Sequence, residues 1–142
     1  MASILKVDTI TGVTTAGSIA VTGEGNSTTT NLQQGLAKAW HNFTMISSNT
    51  TRDSFNISSF TDNGSGDATT SYTNDFANIN YAIAGMAGES GSTGVNDVYI
   101  NVARSSNYSD SMKVGSTRIT SVSDSSTKQD RDVFLNMHGD LA

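Results

Sequence analysis

Cysteine and proline are both absent from this chain. The first absence excludes disulfides, thiolate zinc sites and thiol nucleophiles, so packing or self-association must hold whatever fold forms. The second removes the usual stiffener of turns and one of the usual guards of sheet edges. Histidine occurs twice and tryptophan once, and only 15% of residues are charged. The net charge of −5 leaves little to replace the counterions that a phosphate backbone must shed, which argues against nucleic acid as a partner. A long apolar run is missing too. The opening stretch MASILKVDTI alternates and is interrupted by Lys6 and Asp8, unlike a signal peptide or membrane span, so the expectation is a protein made without export and not inserted in a membrane.

What fills the 142 residues is Ser, Thr, Asn and Gly, interleaved with Val, Ile, Phe and Tyr. Short polar residues suit strands and turns, and β-branched and aromatic residues suit a pleated, half-buried surface, so the chain reads as folded and all-β. Ser3 to Ile10 alternates with period two, and Ile19 to Val21 follows the turn-like Ala16-Gly17-Ser18, which together predict a small N-terminal hairpin. A two-stranded hairpin is marginal alone. This arm is therefore a docking segment, with Ile4, Leu5, Val7, Ile10, Ile19 and Val21 as its candidate contact residues. Gly23 to Thr30 reads as linker, and Thr30 to Gln34 as a single helical turn ended by Gly35.

Beyond Gly35 the chain becomes strand-like runs separated by turns: Ala37–Ile46, Asp53–Phe60, Ala68–Thr73, Tyr81–Ala87, Asn96–Ala103, Met112–Val122 and Asp132–His138. In the first, Ala39, His41 and Phe43 share one face and Trp40 the other. Asn63-Gly64, within TDNGSGD, is the clearest hairpin signal, since both residues tolerate positive φ. Roughly seven strands without an amphipathic helix predict an antiparallel β-sandwich or small barrel. The division expected is an anchoring arm and linker over 1–34 and a β-sandwich module over 35–142. Asp132–His138 carries Val133, Leu135 and Met137 against Phe134 on the other side. Both faces then need cover, which makes Trp40, Phe43, Phe134 and Leu135 candidates for the core or a subunit interface.

Candidate chemistry is thin. His41 and His138 each sit inside a strand-like run, and Ser and Asp are too abundant for a Ser-His-Asp pattern to mean anything. No histidine pair has metal-ligand spacing. Asp62, Asn63 and Asp67 share one loop, yet without EF-hand spacing a plain turn is the better reading. Asp124, Asp130 and Asp132 interleave with Lys128 and Arg131, as in a solvated loop. No catalytic residue, metal or cofactor is expected. Tyr72, Tyr81, Tyr99, Tyr108 and Trp40 could stack on sugars if exposed, with Tyr99 and Tyr108 as the ligand-facing candidates.

MASILKVDTI, then GLAKAWHNF, then RDSFNISSFTDNGSGDATTSYTNDFANINYAIAG resemble fibre-like virion proteins of marine tailed phages that infect cyanobacteria and related ocean bacteria. The likeness covers Met1 to about Gly12 and Gly35 to about Asp140. It implies a non-enzymatic homotrimer on the virion surface, its arm fixed to a major capsid or tail protein and its β-rich head outward. Only Val13 to Gln34 lies between the two blocks, too little shaft for a long fibre, so a short fibre or capsid decoration is the expectation. A receptor-binding module for host surface glycans is the alternative.

Overall fold

The computed structural model describes residues 4–12, 19–22, 29–88, 98–102, 111–123 and 127–142. The chain falls into two compact units, Met1–Leu36 and Ala37–Ala142.

In the first unit the short strands β1 (Ala20–Thr22) and β2 (Thr29–Asn31) pair antiparallel, Val21 opposite Thr30. One helical turn, α1 (Leu32–Gly35), follows, and the Leu32 N–H donates to the Ile19 carbonyl at 2.8 Å. The expected hairpin is corrected here. Residues 4–12 form no strand, and Val21 takes its partner from Thr30, inside the stretch read as linker. Alternation signals a half-buried strand, but a strand also needs a neighbouring edge, and none is paired with Ile4 to Ile10 among the described residues.

The second unit is two antiparallel sheets, neither closed into a barrel. One runs β4 (Thr50–Phe55), β3 (Ala39–Thr44), β11 (Asp132–His138), β7 (Ala82–Gly88). The other runs β5 (Ile57–Gly64), β6 (Asp67–Tyr72), β10 (Ser116–Ser123), β8 (Val98–Val102), with β9 (Met112–Lys113) also on β10. Period-two alternation decides which side chains go in. Ala39, His41 and Phe43 of β3 and Val133, Leu135 and Met137 of β11 are buried, and from the other sheet so are Ala68, Thr70, Tyr72, Thr117 and Ile119. The inner faces meet where Phe60 packs on the rings of His41 and Phe43, at centroid distances of 5.5 and 4.5 Å.

Three expected elements differ. Asp53–Phe60 is two strands in two sheets, because Asn56 takes φ 58° and turns the chain from β4 into β5. Asn56 is held there by its own amide, which donates to the carbonyls of Lys38 (3.1 Å) and Asn74 (3.0 Å). Met112–Val122 is likewise two strands, β9 and β10, folded back at Val114-Gly115. The β5–β6 hairpin exists, but it turns at Ser65-Gly66, with Asn63-Gly64 absorbed into an irregularity of β5. Asp62 accounts for the shift: its Oδ1 accepts the Gly64 N–H at 2.8 Å while the Asn63 amide donates to Thr69 Oγ1 at 2.8 Å.

Candidate functional site

A β-strand sends alternate side chains to opposite faces, so the residues that β3 and its neighbours turn away from the core share one outer surface. Register places them. Phe55, Trp40, Asn136 and Ala84 form one row across the four strands, and Asp53, Asn42, Phe134 and Met86 form the next. Phe55 is 52% exposed, Phe134 49% and Met86 74%, while Trp40 is half-buried. A zigzag of large apolar side chains thus crosses the whole sheet on its solvent side, flanked by the exposed Ala82 and Ala84. At its margin Arg52 and Asp132 pair at 2.8 Å, and Asp132, despite partial burial, is held below the usual carboxylate range by Thr44 and Arg52. Within the second row the Asn42 Oδ1 is buried with no hydrogen-bond partner.

The outer face of the other sheet has opposite chemistry. Ser59, Thr61, Thr69, Ser71, Ser116, Arg118 and Asn101 lie on it, and Asp67 anchors its one ionic cluster. Arg118 donates to Asp67 through Nε (2.7 Å) and Nη2 (2.9 Å), and Lys128 pairs with the same carboxylate. Burial works against the Asp67 charge, yet the hydrogen bonds and charges of Arg118 and Lys128 outweigh it and lower its pKa to about 2. Gly66, in the turn just before β6, has φ +60°, and a Cβ there would meet the Ser121 oxygen at 2.6 Å and the Gln129 oxygen at 2.8 Å. Its N–H donates to Asp130 Oδ1 at 2.7 Å.

Between the sheets, His41 is 1% exposed. Its Nδ1 bonds Thr70 Oγ1 at 3.0 Å and its Nε2 bonds Thr51 Oγ1 at 2.8 Å, so one nitrogen donates and the other accepts in the neutral ring. Desolvation lowers its pKa to about 4, which keeps it neutral near pH 7. With both nitrogens occupied by threonines and the ring between Phe43 and Phe60, His41 is a cross-sheet tie with no site for a reacting group. At the other end of the core the hydroxyls of Tyr72 and Tyr81 converge on Thr117, and Tyr81 also reaches the Lys113 carbonyl at 2.9 Å. Burial raises the Tyr72 hydroxyl well above the usual phenol range.

The candidates named from sequence are therefore dispersed. Phe43 and Leu135 lie in the core, Trp40 and Phe134 on the apolar outer face and Tyr99, 53% exposed, on the opposite face, while Tyr108, the loop SSNYSD and all of GESGSTG after Gly88 lie outside the described residues. Tyr72 and Tyr81 are buried in the core, as aromatics alternating in strands commonly are, and offer no face to a sugar. In the first unit Ile4, Leu5, Val7, Ile10 and Val21 are exposed and Ile19 is half-buried. His138 lies on β11 with the outward parity of Phe134, away from His41. Asp62 and Asp67 do not converge on a cation: Asp62 accepts from Gly64 and Asn49, and Asp67 from two cations. Among the described residues no group of three His, Cys, Asp or Glu could hold a metal ion, and no helix is long and apolar enough to cross a membrane.

Phe55 and Met86 were missed from the outer face. Met86 carried a signal, its alternation against Ile83 and Ala87, whereas Phe55 was hidden by the change of direction at Asn56. No family model, no curated protein and no solved structure matches the chain.

Proposed function

We propose that this is a non-enzymatic structural protein of a tailed-phage virion, a short homotrimeric fibre or capsid decoration. Its N-terminal segment docks on a capsid or tail protein, and its β-sandwich module faces outward. The likeness of MASILKVDTI and GLAKAWHNF to phage fibre-like proteins supplies the setting. The observation that carries the reading is the zigzag of apolar side chains across one sheet, with Phe55, Phe134 and Met86 exposed and Trp40 half-buried among them, because an apolar patch rimmed by polar residues marks an interaction surface. Ile4, Leu5, Val7 and Ile10 supply a second apolar set suited to strand addition on a particle protein. The polar Ser/Thr face opposite remains wettable in such an assembly. Labelled antibody on purified virions tests the reading: label on the head is expected for a decoration, label at the tail alone would make it a tail appendage, and unlabelled particles would refute a virion role.

The glycan-receptor reading has Tyr99 as its one exposed tyrosine among the described residues. A single ring gives one stacking surface. It is the weaker reading.

A further inference from the structure

We infer that the outer face of β4-β3-β11-β7 is where copies of this chain meet, with Trp40 and Phe134 at the centre and Met86 and Phe55 at the flanks. The inference rests on the self-associating reading above and names its surface. Three observations select a second copy as the occupant.

The first is size. Phe55, Trp40, Phe134, Met86, Ala82 and Ala84 together expose on the order of 400 Å² of apolar surface. A stable interface takes roughly 800 Å² from each partner, somewhat over half of it apolar. The stripe therefore matches the apolar centre of one such interface and falls short of a larger obligate one. The second is charge. At a net charge of −5 two copies repel, and they can approach only through a face that carries little of that charge. Here Arg52 and Asp132 neutralise each other at the margin, and Asp53 is the one remaining acid in the two central rows. A basic partner would find little beyond Asp53 to attract it on this face. The third is shape. Associating copies interdigitate their side chains, and the alternation of Phe134 and Met86 with Asn136 and Ala84 supplies both projections and recesses.

The test is the mass of the full chain by sedimentation equilibrium, for the native sequence and for Phe134→Lys, Met86→Lys and Tyr99→Lys, with far-UV circular dichroism on each. The native chain is expected to be oligomeric. Phe134→Lys should raise the dissociation constant at least about thirty-fold, as for a residue at the centre of an interface, Met86→Lys at the flank should raise it several-fold, and Tyr99→Lys, on the opposite face, should leave it unchanged. Met86 is largely exposed on an edge strand, so its substitution keeps the test valid if Phe134→Lys alters the fold. An oligomeric native chain indifferent to both lysines overturns this surface and leaves self-association standing. A monomeric native chain overturns both, including the case in which it gains mass only with a capsid or tail protein, while antibody labelling of virions decides the particle role separately.

Discussion

The two outer faces of the β-module obey the same period-two rule and end in different states. On the β5-β6-β10-β8 face, Asp67 gathers Arg118 and Lys128, and Asn63 reaches Thr69. On the β4-β3-β11-β7 face, Phe134 and Met86 stand in water and Asn42 Oδ1 has no partner. A polar face is complete when its donors and acceptors are paired or wet. An apolar one is complete only when something covers it. The first should govern the stability of a single chain, and the second the association of several.

Acid should strain this division most. The His41 pKa is lowered from 6.5 to about 4, so the unfolded chain binds the proton more tightly and stability rises with pH. The contribution is fully present above pH 6.5 and lost as pH falls to about 4, a loss of about 3 kcal/mol. Asp67, lowered from 3.8 to about 2, adds a further loss below pH 3.8. Denaturant titrations between pH 8 and pH 3 should show this slope, and a His41→Gln variant with an unchanged slope between pH 6.5 and 4 would assign it elsewhere.

Next comes Gly66→Ala, which forces a Cβ against the Ser121 and Gln129 oxygens at a positive φ. It should cost about 2 kcal/mol in thermal unfolding. Gly64→Ala, with open space around it, should cost less. Asp67→Asn leaves Arg118 and Lys128 facing an uncharged amide. Because both cations are about half exposed, the cost should be about 1 kcal/mol, shrinking in high salt. A cost independent of salt would show that the cluster acts through packing instead of charge. The smallest effect is expected of Asn42→Val, which exchanges an unpartnered buried acceptor for a methyl group in the apolar row. Single-chain stability should change by less than about 0.5 kcal/mol, and any self-association should tighten.

The strands legible in the sequence are those with one face fully buried. In β3 and β11 the burial alternates without a break, and period two sorts the residues of each strand onto their two faces while leaving open which face goes inward. Legibility failed where one side chain redirected the backbone. Asn56, at φ 58°, splits an apparently continuous run into two sheets through hydrogen bonds to residues far away in sequence, which periodicity does not encode. The turn after β5 moved because Asp62 and Asn63 spent their side chains on the strand ladder. Ile4 to Ile10 failed for the opposite reason. Its alternation is real, but alternation specifies a face and not a partner. The apolar outer row was half visible: Trp40 and Phe134 were named as interface candidates, and the alignment with Phe55 and Met86 required the register of four strands. The Asp67 cluster was out of reach, since its members meet only through the pairing of β6 with β10.

β3 is the first strand of its sheet to be made, and its inner neighbour β11 is the last. His41 pairs with Leu135 across nearly the whole length of the module. During synthesis β3 can find β4 at once, but it must wait for β11, and contacts of such separation form late. Trp40 and Phe134 therefore come to lie side by side only when the module is finished. A truncated or half-made chain has no such face to offer. The order of events is written into the strand order: the chain closes on itself before its apolar outer face is complete.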